Sequence, residues 1–199
     1  MDEITGIILA GGRSRRMGGE DKGLSLLKGQ PMIAYVIERL RPQVETLVIS
    51  ANRNHTQYRQ FGYPVVADSL GEIPFQGPLA GIARAIHSTT TPYVLVTPCD
   101  TPLLPTHLVE RLQSALQQGE SPIAVAHDTV RLQPLCFLAK RSIHNTLTEQ
   151  LNQGERRVQV WMESLQPSLC QFETPSLFSN INTPLLRGVD VGKERGGLK

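Results

Sequence analysis

No uninterrupted apolar run in the sequence reaches the ~18 residues needed to cross a bilayer. The N-terminus opens on Asp2-Glu3 ahead of a strand-forming run, without the basic stretch and apolar core of an export signal. Both absences point to a cytoplasmic protein with no membrane partner. Cysteine is scarce: Cys99, Cys136 and Cys170 are widely spaced, which fits neither a disulfide framework nor a Cys-x-x-Cys metal site. His55, His87, His107, His127 and His144 show no metal-ligand spacing and read as surface or capping residues. The net charge is only +2, with acids and bases mixed outside one glycine-rich loop, so a nucleic-acid surface is not expected. Familiar nucleotide loops are missing too: there is no Gly-x-x-x-x-Gly-Lys-Ser/Thr and no Gly-x-Gly-x-x-Gly.

A chain of 199 residues that is 40% hydrophobic suits one domain with a real core. The expected boundary is residues 1–187, followed by a polar, glycine-bearing tail over 188–199. Strand-like runs at Ile4–Ala10, Thr46–Ala51, Tyr93–Thr97 and Ile123–Ala126, with a short one at Pro64–Ala67, alternate with helical periodicities. The apolar stripes Ile33-Val36-Ile37-Leu40, Leu79-Ile82-Ala83-Ile86 and Leu108-Val109-Leu112-Leu116 follow Pro31, Pro78 and Pro105, residues favoured in first helical turns. This is the α/β pattern of a mostly parallel central sheet. Ser142–Leu151 reads as a helix ending at Gly154, Leu135–Leu138 as an antiparallel strand at the sheet's far side, and Thr183-Pro184 as the cap of a last helix.

Directly after the first strand, Leu9 to Gly23 read Leu-Ala-Gly-Gly-Arg-Ser-Arg-Arg-Met-Gly-Gly-Glu-Asp-Lys-Gly. Gly11, Gly12, Gly18 and Gly19 let backbone N–H groups turn toward an anion, while Arg13, Arg15, Arg16 and Lys22 surround it with positive charge. The loop is built to hold a diphosphate or triphosphate; the plainer alternative is a strand-to-helix turn with solvated arginines. In an open parallel sheet, ligands bind beyond the carboxyl ends of the strands. That rule gathers the loop, Asp68 after the short strand and Asp100 after Tyr93–Thr97 at one cleft. Asp100 suits a magnesium ligand in phosphoryl chemistry, or else a helix N-cap. Lys22 suits a phosphate ligand, or else an exposed partner of Asp21. Cys99 reads as a half-buried strand-end thiol.

Leu-Ala-Gly-Gly-x-Ser-x-Arg-Met-Gly with Asp-Lys shortly after it resembles the signature of nucleotidyltransferases that charge sugar phosphates and related acceptors. Ser50-Ala-Asn-Arg53, Asp68-Ser69, Gly77-Pro-Leu-Ala-Gly81, Pro98-Cys-Asp-Thr-Pro102, Gly154-Glu-Arg-Arg-Val158 and Asn180-Ile-Asn-Thr-Pro184 narrow the resemblance to the bacterial molybdenum cofactor guanylyltransferase family. It implies a three-layer Rossmann-like nucleotidyltransferase fold of the GT-A-like kind. The implied reaction transfers GMP from GTP to molybdopterin or molybdenum-molybdopterin with Mg2+ as cofactor. Cofactor-delivery proteins and an apoenzyme chaperone are the implied protein partners.

The resemblance assigns catalysis to Lys22, Asp100 and Arg16, with Asp100 on the metal. It assigns the nucleotide to Leu9, Ala10, Gly11, Gly12, Lys22, Asn52, Asp68 and Asp100, and the acceptor to Arg156, assisted by Arg157, with Asn180 and Asn182. Guanine offers N–H donors that Asp68 can accept, and an O6 that backbone N–H groups of Leu9 to Gly12 can meet. Asp68 could instead cap the following Ser69-Leu70-Gly71 turn. Asn180 and Asn182 would share one side of a strand, or else be ordinary turn residues. Ser50 stands where the family pattern has an amide, so a contact made by that amide is not expected here. The other readings are a cytidylyltransferase or sugar-phosphate nucleotidyltransferase, or a nucleotide-binding protein without catalysis.

Overall fold

The computed structural model describes residues 3–10, 21–67 and 77–180. Fifteen strands and α-helices follow in chain order: β1 (Ile4–Leu9), β2 (Leu26–Leu27), β3 (Gln30–Pro31), α1 (Met32–Leu40), β4 (Thr46–Ser50), α2 (His55–Arg59), β5 (Val65–Val66), α3 (Pro78–His87), β6 (Tyr93–Pro98), α4 (Leu108–Gln118), β7 (Ile123–His127), β8 (Leu132–Lys140), α5 (Ile143–Asn152), α6 (Val158–Ser164) and β9 (Ser168–Gln171). The main sheet has seven strands in the order β5-β4-β1-β6-β8-β7-β9. Only β8 runs against its neighbours, so the mostly parallel α/β sheet expected from the sequence is what forms.

Both faces of the sheet are buried, and strict alternation along the strands divides the apolar side chains between them. Ile8, Ile49, Leu95, Ala124 and Leu138 pack with α1, α4 and Tyr58. Their neighbours Ile7, Val48, Val94, Val125 and Phe137 pack with α3, α5 and α6. The result is three layers. The stripes after Pro31 and Pro78 become α1 and α3, whose apolar sides are buried apart from Ile37, which is half-buried. Pro105 lies ahead of α4 instead of inside it, and its carbonyl accepts from Gln43 Nε2 at 3.0 Å.

Two expectations change. The antiparallel strand is longer than its apolar core, and it lies inside the sheet between β6 and β7, not at the far side. Beyond it, β9 closes that edge by pairing parallel to β7. Cys99 is buried, not half-buried. The last-helix cap at Thr183-Pro184 and the 188–199 tail lie outside the described residues.

Candidate functional site

The parallel register sets Leu9 beside Ser50 of β4 on one side and Pro98 of β6 on the other, so three strands end at one place. Ala10 N–H donates to the Ser50 carbonyl at 2.8 Å and Cys99 N–H donates to the Leu9 carbonyl at 3.0 Å. The Ala10 N–H is therefore committed to the sheet and is not available to meet a base, contrary to the expectation for that atom. Past Cys99 the chain turns, with Thr101 Oγ1 donating to the Pro98 carbonyl at 3.1 Å. Asp100 sits at this turn, well before α4 begins; the N-cap of α4 is His107, so the capping alternative for Asp100 does not hold.

Lys22 comes back to the same point from the other side of the glycine loop. Its Nζ donates to Asp100 Oδ2 at 3.1 Å, with the two side chains 35% and 10% exposed, so the pair is shielded yet reachable. Asp21 is not the partner of Lys22. Its carboxylate, 6% exposed, accepts from Tyr58 Oη and Gly23 N–H on one oxygen and from Asn54 Nδ2 at 2.8 Å on the other, with Arg53 Nε 3.5 Å away. The Asp21 carbonyl accepts from the N–H groups of Leu24 and Ser25, and the carbonyls of Gly23 and Ser25 take N–H groups of Ile33 and Met32. Those last two bonds satisfy orphan donors in the first turn of α1 and tie the segment to that helix.

Packing is tight where this segment meets β6. A methyl group on Gly23 would sit 2.5 Å from Tyr58 Oη and 3.2 Å from Cys99 Sγ. Burial, then the nearby charges of Asp100 and Asp21, push the Cys99 thiol up. Burial, then Cys99 and Asp21, push the Tyr58 phenol up. Both groups therefore stay protonated; Cys99 is a packing residue and not a nucleophile. The hydrogen-bond hub of Asp21, Asn54 and Tyr58 was not legible as a site, because it joins residues 33 and 37 positions apart through polar side chains without periodicity.

The acceptor-side residues leave from different layers. Arg156 and Arg157 lie between α5 and α6, beside an open depression of ≈ 530 Å³ lined by Gln150, Gln153, Gly154 and Glu155 as well. The start of α3 is close, since a Cβ on Gly77 would be 3.8 Å from the Arg156 carbonyl. Arg156 Nη1 donates to the carbonyls of Leu151 and Glu155, at 2.7 and 2.8 Å. The side chain and backbone N–H of Arg157, followed by the Arg156 N–H, hold the Glu155 carboxyl down at about 2. Asn180 is exposed and follows a 3-10 turn, Pro175–Phe178, anchored by Phe178 against Phe172 in the α1/α4 layer; it is not on a strand as expected. Asn52 is half-buried just past β4, and Leu9 is half-buried at the end of β1. Gly11, Gly12, Arg13, Arg15, Arg16, Asp68 and Asn182 lie outside the described residues.

The profile of the MobA-like NTP transferase domain matches residues 6–168, which includes most of β1, Lys22, Asp100 and the Glu155-Arg156-Arg157 segment. The chain belongs to the MobA-like NTP transferase family. A molybdenum cofactor guanylyltransferase of Shewanella loihica is 44% identical over 92% of both chains, and one from another Shewanella species is 45% identical over the same share of each. The crystal structure of molybdopterin-guanine dinucleotide biosynthesis protein A from Archaeoglobus fulgidus superposes with a TM-score of 0.70 at 21% identity, covering 92% of this chain and 94% of that one. The family and Rossmann-like nucleotidyltransferase fold implied by the motifs are borne out. Among the described residues no helix is long and apolar enough to cross a membrane.

Proposed function

We propose that the protein transfers GMP from GTP to molybdopterin, with or without bound molybdenum, and releases pyrophosphate. The observation that carries this reading is the Lys22–Asp100 contact at the shared carboxyl end of β1 and β6, within a chain of this family. A phosphate oxygen of the acceptor attacks the α-phosphorus of GTP, and the bond from that phosphorus to the oxygen bridging the β-phosphate breaks. The departing pyrophosphate gathers negative charge. Lys22 meets that charge as a compact cation, and Arg16 assists it. A phosphate monoester oxygen is already a competent nucleophile, so the protein's work is positioning and electrostatics and needs no general base.

Nucleotidyltransferases of this kind typically use a divalent metal, and the donor set suits Mg2+ held largely through its substrate. Asp100 offers one shielded carboxylate, and no group of three or more His, Cys, Asp or Glu that could hold a metal occurs among the described residues. Mg2+ commonly binds through one or two carboxylates, substrate phosphates and water. When bound it would neutralise triphosphate charge. Leu9, Gly11, Gly12, Asn52 and Asp68 are assigned to the nucleotide, with Asp68 accepting from guanine and the loop glycines meeting its O6. Arg156, Asn180 and Asn182 are assigned to the acceptor. The cytoplasm, where GTP is available, is the proposed compartment.

Pyrophosphate release in the presence of molybdopterin and GTP, CTP or ATP tests the reading. Turnover with GTP is expected. Turnover with CTP alone would make this a cytidylyltransferase, and none with any nucleotide would leave only a binding protein. Competition of GTP and ATP on native and Asp68→Ala protein tests the base assignment. Selectivity is expected to shrink by about ten-fold or more, as a charge-assisted hydrogen bond of ~1.5–3 kcal/mol implies.

A further inference from the structure

Lys22 is a long, flexible side chain, and holding its tip at one point costs rotamer freedom unless the backbone on either side is fixed. Both flanks are fixed here. On one side, Asp21 is anchored through its carboxylate to three separate segments: Gly23 in its own turn, Arg53 and Asn54 after β4, and Tyr58 in α2. Gly23, Asn54 and Tyr58 each donate a hydrogen bond, the complement a carboxylate requires, and Arg53 adds positive charge at 3.5 Å. On the other side, Gly23 donates to Asp21 at 3.2 Å, gives its carbonyl to Ile33 N–H, and packs so closely on Tyr58 Oη and Cys99 Sγ that no side chain fits.

The contacts fall in register. Gly23 rests on Cys99 while Lys22 reaches Asp100, so two consecutive residues of the post-loop segment lie against two consecutive residues beyond β6. Tyr58 completes the arrangement from below. It is fully buried, it touches both the Asp21 carboxylate and the Gly23 backbone, and its phenol stays protonated as a donor.

We propose that Asp21 is a positioning residue for nucleotidyl transfer: through Tyr58, Asn54 and Arg53 it fixes the backbone that delivers Lys22 Nζ to Asp100. This rests on the reading of Lys22 as the residue that meets the triphosphate. Asp21 touches neither substrate nor metal in this assignment. Its effect passes through Lys22 alone, which separates it from a residue that merely supports the fold.

A double-mutant cycle reads that difference. Pyrophosphate release at saturating GTP is measured for native protein, Asp21→Asn, Lys22→Ala and the double variant, with thermal melting recorded for each. An asparagine puts an N–H₂ group where two donors already point, so the segment loosens. Asp21→Asn is expected to slow turnover by about 10–10²-fold, the usual effect of a misplacement near 1 Å. On the Lys22→Ala background the same change should cost less than about two-fold, since groups acting as a unit are not additive. Tyr58→Phe removes one donor without creating a new one, and it carries the same cycle should Asp21→Asn fail to fold. A full, additive loss on the Lys22→Ala background would overturn the Asp21 assignment and leave Lys22 standing. A native rate for Lys22→Ala would instead remove the reading beneath it, and the proposal with it.

Discussion

Lys22 Nζ and Asp100 Oδ2 meet at 3.1 Å although they are 78 positions apart in the chain. One arrives from the loop after β1 and the other from the turn after β6, and the two strands are direct neighbours in the sheet. Because the Lys22 side chain is still a third exposed, water screens the pair, and it commonly adds under ~1 kcal/mol once the ordering of two side chains is counted. The placement therefore matters for chemistry more than for folding.

The fit of Gly23 against Tyr58 and Cys99 leaves no room for a methyl group. Both neighbours are buried, so neither can swing away. Gly23→Ala is expected to lower stability by about 1–3 kcal/mol, the range for overpacking a filled core, and to slow turnover with it. Urea denaturation and pyrophosphate release would show both. Unchanged values in both would mean that the segment shifts freely and that this packing does not position Lys22.

Ser50 offers a milder version of the same test. A methyl on Gly81 of α3 would come 2.9 Å from Ser50 Oγ. Alanine also gains helix propensity of roughly 1 kcal/mol over glycine, which opposes the clash. Gly81→Ala should therefore be near neutral in native protein and clearly stabilising, by about 1 kcal/mol, once Ser50→Ala removes the hydroxyl. Equal effects of Gly81→Ala in both backgrounds would show that the hydroxyl gives way without cost.

The layers and the cleft were legible because they rest on periodicity and order. The stripes of α1 and α3, the buried runs of β1, β4 and β6, and the prolines before the helices all report their positions locally. The same rules place Lys22 and Asp100 at one edge of the sheet. Of the short elements, β5 was legible and most others were not. The two-residue β2 and β3, the five-residue α2 and the four-residue β9 carry too few residues to display a period. The inside position of β8 depends on partner choice, which no local pattern encodes. Asp21 escaped for a related reason: its partners Asn54 and Tyr58 are polar tips brought together by tertiary packing, whereas its neighbour in sequence, Lys22, points elsewhere.

Asn180 is exposed at the end of an anchored 3-10 turn, so its amide can change without disturbing the core. Asn180→Asp is expected to raise KM for molybdopterin by about ten-fold, the cost of losing roughly 1.4 kcal/mol of hydrogen bonding, while GTP affinity stays within a few-fold. Titration of GTP alongside acceptor kinetics separates the two. An equal loss of GTP affinity would move Asn180 to the nucleotide half.

His144 faces His87, with ring centroids 5.5 Å apart, and lies near Arg141. Burial first, then the charges of His87 and Arg141, lower the His144 pKa from its ordinary value of 6.5, against a raising contribution from the Ala83 backbone. The unfolded chain thus takes the proton first as pH falls, and stability contributed by neutral His144 is lost from about pH 6.5 downward. The ring is only half-buried, so remaining solvent screening keeps the effect small. Between pH 7.5 and 5.5 the native protein should lose more Tm than His144→Gln, by up to roughly 2 °C. Identical losses would show that His144 titrates alike in both states.

The most direct measurement is steady-state pyrophosphate release from GTP with molybdopterin for native protein, Lys22→Ala and Asp100→Asn, each across a Mg2+ titration and paired with a thermal melt. Each substitution is expected to lower turnover by about 10²–10³-fold, the loss seen when one preorganised electrostatic contact is removed. Tm should move by no more than roughly 2–4 °C, because a pair with its lysine partly exposed contributes little to folding. Near-native turnover of either variant at every Mg2+ concentration, with the fold intact, would contradict the assignment of nucleotidyl transfer to this pair.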